Sequence, residues 1–72
     1  MNILEMLNTK IDGIVTNMTS FGVLIDFIYK DINYKGCLSN SYIKSLYSIN
    51  QLVHLEILCV DPRNELIYLG EI

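Results

Sequence analysis

Seventy-two residues, 51% of them apolar, can enclose one small core and leave no room for a second, so a single domain over residues 1–72 is expected. Five Lys/Arg against eight Asp/Glu leave a net charge of −3, which excludes strong unaided attachment to a polyanion. No apolar run approaches the roughly 20 residues of a membrane helix, and Met1-Asn2-Ile3-Leu4-Glu5 lacks the positive region of a secretory signal, so a cytoplasmic protein without membrane contact is expected.

The first strand is predicted over residues 9–18, with Ile11, Gly13 and Val15 on one face and Asp12, Ile14 and Thr16 on the other. Gly13 inside it predicts a bend or bulge. Thr19-Ser20 forms a tight turn, and residues 21–27 alternate as a second strand, with Val23 and Ile25 inward and Phe21 and Leu24 near the outer face. Residues 29–35 carry Lys30, Asp31 and Asn33 and predict a polar loop before a short third strand at Gly36-Cys37-Leu38. Ser41 is expected to cap one or two helical turns whose Ile43 and Leu46 face the core. Ser48-Ile49-Asn50-Gln51 is a turn in which Asn50 takes the left-handed conformation. A fourth strand follows over residues 52–60, with Val53, Leu55 and Ile57 opposite His54 and Glu56. Asp61-Pro62-Arg63-Asn64 is a β-turn, and residues 65–69 complete the fifth strand. Five strands, one helical turn between the third and fourth, and glycine bends in the first two predict an all-β fold, a five-stranded Greek-key OB-fold barrel rather than a sandwich.

Little in the chain points to bond-making chemistry. Cys37 and Cys59, with a single histidine, make neither a disulfide framework nor a zinc site and are expected to be ordinary thiols. Asn17-Met18-Thr19 matches a glycosylation sequon by coincidence in an unexported chain. Ser39, His54 and Asp61 supply the residue types of a nucleophilic triad, but no strained elbow or oxyanion loop accompanies them. No catalytic residue, metal or cofactor is predicted. The charge is unevenly placed: Lys30, Lys35 and Lys44 face Asp31 alone in residues 29–47, whereas Arg63 is outnumbered by Glu56, Asp61, Glu65 and Glu71 in residues 52–72. A mildly basic face is therefore compatible with an acidic chain.

Three blocks resemble the S1 RNA-binding domain family, over nearly the whole chain from Leu7 to Leu69. Gly13-Ile14-Val15-Thr16 followed by Ser20-Phe21-Gly22-Val23-Leu24-Ile25-Asp26 is similar to the family's first hairpin. Gly36-Cys37-Leu38-Ser39-Asn40-Ser41 is similar to the motif that opens its helical turn, and the segment from Asn50 to Asp61 to its fourth strand with a closing valine-aspartate pair. The resemblance implies single-stranded RNA across one face of the barrel, with bases stacked near the first hairpin. Phe21 and Gly22 match that hairpin, and Asp61, with Arg63 beside it, matches the acidic position at the last turn. Leu24 stands where a second aromatic is common, Ser39 where a histidine is common, and Glu65 near a position that is commonly basic. The segment between Ser41 and Asn50 is shorter than usual. Tyr29-Lys30 and Tyr34-Lys35 have two readings, either a solvated loop whose tyrosines cover the barrel rim or aromatic-lysine pairs that compensate in part with stacking and phosphate contacts.

Two functions follow. The first is a non-catalytic module for single-stranded RNA with little sequence preference, in translation or RNA metabolism. The second is a protein-interaction barrel docking on a ribosome, polymerase, nuclease or kinase partner, as when viral mimics of the S1 barrel of the initiation factor 2 alpha subunit act as kinase pseudosubstrates. Surface composition discriminates between them. Lys30, Lys35, Lys44 and Phe21 on one face would favour RNA; an apolar patch with Leu24, Met18 and Cys59 would favour a protein.

Overall fold

Alternation of apolar and polar residues dictates the strands, and their burial follows it with period two. The computed structural model describes residues 3–72. A 3-10 helix (Ile3–Met6) precedes β1 (Lys10–Met18), β2 (Gly22–Tyr29) and β3 (Ile32–Ser39). A second 3-10 helix (Asn40–Tyr42) leads toward β4 (Leu52–Asp61) and β5 (Leu66–Glu71). The strands close into a barrel in the order β1-β2-β3-β5-β4, antiparallel everywhere except between β3 and β5. This is an all-β, five-stranded OB-type barrel, as predicted.

β1 is long enough to serve both sides of the barrel: its first half pairs with β4 from Lys10↔Glu56 to Ile14↔Leu52, and its second with β2 from Gly13↔Phe27 to Met18↔Val23. Gly13 lies in the overlap, where a Cβ would sit 2.5 Å from the Ile25 side chain and 2.9 Å from the Asp26 carbonyl. The glycine permits close approach of β1 and β2, while the bulge in β1 falls between Val15 and Asn17. Ile11, Val15, Val23, Ile25, Phe27, Leu38, Val53, Leu55, Ile57, Val60, Ile67 and Leu69 fill the interior, and Met6 from the first 3-10 helix joins them with no exposed surface. Among the described residues no polar side chain is buried in this core.

Four expectations need correction. Residues 29–35 are not a polar loop: β2 and β3 pair without interruption from Gly22↔Ser39 to Tyr29↔Ile32, joined only by Lys30 and Asp31. Both turn residues have positive φ (49° and 66°), the twist a two-residue hairpin requires, yet neither is the Asn or Gly that normally announces it. The helical turn is shorter than expected and capped by Ser39, whose hydroxyl accepts from the Ser41 backbone N–H (3.3 Å), rather than by Ser41. Ile43 packs on the core as expected, but Leu46 is 95% exposed and Tyr47 takes the inward place. Finally, Glu65 belongs to the turn with φ 55°, so β5 starts at Leu66 and runs on to Glu71. Asn50 has φ 70°, the left-handed conformation predicted for it, and its N–H reaches the Val15 carbonyl at 2.8 Å.

Candidate nucleic-acid interface

The β1–β2 connection is fixed by local chemistry. The Thr19 hydroxyl accepts from the backbone N–H groups of Phe21 and Gly22 (both 3.2 Å) and donates to the Gly22 carbonyl (3.0 Å), while Thr19 N–H donates to that same carbonyl (2.8 Å). The second 3-10 helix grips the tip from the other side: Asn40 donates from its side chain to the Ser20 carbonyl (2.8 Å) and from its backbone to the Phe21 carbonyl (3.0 Å). The ring of Phe21 is left 81% exposed. Gly22 is buried, and a Cβ there would sit 2.2 Å from the Leu38 carbonyl oxygen. Its missing side chain therefore admits the backbone of β3.

Strand register sets which residues share the outer surface of the sheet that leads away from this tip, because residues directly opposite each other lie on the same face. Leu24 opposes Cys37, Cys37 opposes Tyr68, and Tyr68 opposes Cys59, giving one outward row across β2, β3, β5 and β4. A second row carries Asp26 and Lys35, which form an ion pair at 3.7 Å on this same face. Leu66 stands beside it at the start of β5, opposite Asp61. Glu65 itself lies in the turn with a left-handed backbone, which leaves Leu66 as the first outward residue of that strand. Ser39 opposes Gly22 at the Phe21 end, with its hydroxyl used in capping.

At the far end the β4–β5 turn is organised by Asp61. One carboxylate oxygen accepts from the backbone N–H of Arg63 (3.0 Å) and Asn64 (3.4 Å), and the other from the Asn64 side chain (2.9 Å). The Asn64 side-chain bond, chiefly, holds the Asp61 carboxyl below its ordinary pKa. This carboxylate builds a turn, and Arg63 is exposed at its tip, in no ion pair among the described residues.

Of the two aromatic-lysine pairs only Lys35 joins the interface, and neither tyrosine does. Tyr34 opposes Phe27 on the inward side and stacks on it, with centroids 5.8 Å apart and planes inclined by 25°. Tyr29 packs against the core, and Lys30 lies 5.6 Å from its ring centroid while pairing with Glu5 at 3.6 Å. Lys30 is also nine residues beyond Phe21 along one strand, roughly 30 Å away. Lys44 sits in the β3–β4 connection, its backbone N–H donating to Glu71 (2.7 Å). The four groups whose coincidence would have marked a basic face are thus dispersed, and Lys35 alone lies on the outer sheet with Leu24.

Of the apolar set, Leu24 and Cys59 do share a row, whereas Met18, 49% exposed, opposes Val23 at the end of β1 beyond its bulge and lies outside that row. His54 opposes Asp12 on β1 and contacts its carboxylate. Asp61 is seven residues further along β4, roughly 23 Å, so Ser39, His54 and Asp61 do not converge. Tyr68 is the residue that sequence reading passed over. Its signal was present: Ile67 and Leu69 are buried, so residue 68 must point out.

No family model matches this sequence, and no curated protein does. Among solved structures, the barrel is similar to an uncharacterized protein of Methanocaldococcus jannaschii, with a TM-score of 0.77 over 92% of this chain and 90% of that one, at 18% identity. A likeness at that identity shows the fold, the small closed all-β barrel, and the fold alone.

Proposed function

We propose that this barrel is an S1-type module that holds single-stranded RNA without catalysis and with little sequence preference. Phe21 carries the reading: its ring is 81% exposed on a tip whose backbone is fixed by Thr19 and Asn40. Leaving such a ring in water forgoes about 1.5–3 kcal/mol of burial, while a nucleobase stacked on it recovers about 1–3 kcal/mol whatever the base. A tip already held by side-chain hydrogen bonds needs no further ordering when the base arrives. The three S1-like sequence blocks support the same reading and suggest a place in translation or RNA metabolism.

Electrostatics contribute little here. Arg63 and Lys35 are the cations at this surface, and Lys35 already faces Asp26. Two phosphates neutralised predict a log–log salt slope of about −1.4 for a single strand. Titration of a fluorescein-labelled RNA oligomer at two salt concentrations measures it. A slope near about −5 would require a basic surface that this chain does not have, and would overturn this placement of the interface.

A second reading has one observation behind it. The row Leu24, Cys37, Tyr68 and Cys59 is apolar, and Lys30 and Lys44 lie elsewhere, so a protein partner could cover the same surface. Absence of any RNA affinity would transfer the proposal to that partner.

A further inference from the structure

We infer that Tyr68 is a second stacking platform, so that the RNA path runs diagonally from the β1–β2 tip across β3 to β5. The inference rests on the RNA-binding reading and names a contact that the Phe21 site does not contain. Leu24 cannot stack a base, yet the row it heads reaches an aromatic two strands away, about 10 Å across the sheet. Phe21 lies in the turn three residues before Leu24, about 10 Å in the strand direction, so the backbone positions of Phe21 and Tyr68 are separated by roughly 14 Å.

The surroundings of Tyr68 keep its ring available. Its directly opposed neighbours on the two flanking strands are Cys37 and Cys59, side chains too small to cover an aromatic face. The ring is 39% exposed although Ile67 and Leu69 on either side of it are buried, and its hydroxyl has no hydrogen-bond partner among the described residues. Beside it runs a groove of about 300 Å³ lined by Leu24, Cys37, Leu66, Tyr68 and, at its polar rim, Lys35 and Glu65. An apolar floor of that size suits the face of a base, and Lys35 is positioned for the phosphate that follows it.

The test compares the intact chain with Phe21→Leu, Tyr68→Leu and Tyr68→Phe, using anisotropy of a fluorescein-labelled mixed-sequence 12-nucleotide RNA. Tyr68→Leu should weaken binding at least about fivefold, the lower end of what a base–aromatic stack supplies, with a melting temperature close to that of the parent. Tyr68→Phe should bind like the parent, because the ring is the contact. The thiols give an independent readout: saturating RNA should slow N-ethylmaleimide alkylation of Cys37 and Cys59, followed by mass spectrometry. Loss with Phe21→Leu but none with Tyr68→Leu, or unprotected thiols at saturation, would overturn the path across β5 and leave the RNA reading standing. No RNA affinity in the parent chain would overturn both. Equal loss in Tyr68→Phe and Tyr68→Leu would assign the contact to the hydroxyl and refute stacking.

Discussion

The two ends of β2 use the same ingredients in opposite ways. At one end Phe21 sits on a tip fastened by Thr19 and Asn40, and its ring is left in water. At the other, the connection is Lys30 and Asp31 in left-handed conformations, and the nearby aromatics are spent inward: Phe27 and Tyr34 stack, and Tyr29 packs on the core beneath Lys30. One end is built by hydrogen bonds and keeps its ring free; the other is built by packing and tolerates backbone strain. Hydrogen bonds alone can thus fix a tip without spending its aromatic ring on packing.

The sharpest way to break this contrast is to delete a ring at each end. Phe27→Ala should cost about 3–5 kcal/mol, comparable to the whole stability of a core this size, roughly 3–5 kcal/mol, so the variant should be largely unfolded by circular dichroism. Phe21→Ala should lower the unfolding free energy from urea titration by less than about 0.5 kcal/mol. Equal losses would mean that the Phe21 ring is part of the core.

The left-handed positions sharpen the comparison. Asn50, which bonds Val15, should accept Gly but not Val, whose branched Cβ makes φ 70° costly by more than about 1 kcal/mol; coincident urea midpoints for the two variants would refute this. At the strained end, the double change Lys30→Asn with Asp31→Gly installs the residues that a two-residue hairpin favours and should stabilise by about 1 kcal/mol. It should leave RNA affinity unchanged, and a loss of affinity would place that end in the interface after all.

The smallest effect concerns the β3–β4 connection, neither end of β2 but the anchor of the helix that grips the Phe21 tip. Tyr47 donates to Glu71, and burial first, then that bond and the carboxylate charge, push its phenol up to about 12. The same bond holds Glu71 below its ordinary range. A raised phenol pKa means stability present below pH 10 and lost as pH climbs toward 12; a lowered carboxyl pKa means stability present above about pH 4.5 and lost below it. Absorbance titration should therefore show one of the five tyrosines ionising last, and Glu71→Gln should bring it back toward its neighbours.

Much of this was legible in the sequence because it is local. Alternation at residues 9–18 and 52–60 fixed which side chains enter the barrel, Asn50 signalled its own backbone conformation, and Thr19-Ser20 marked the turn that exposes Phe21. Where local signals are atypical the structure departs from them: Lys30-Asp31 carries no turn signature yet closes a two-residue hairpin, and Leu46 follows a helix too short to turn it inward. What no local pattern could supply is companionship across the sheet. Cys37 and Tyr68 meet only because β5 lies parallel to β3, and Lys35 pairs with Asp26 only because β2 sets the two opposite each other. Period-two alternation tells which way a side chain points, whereas strand order and register decide beside whom, and those are settled by closure of the barrel around its one core.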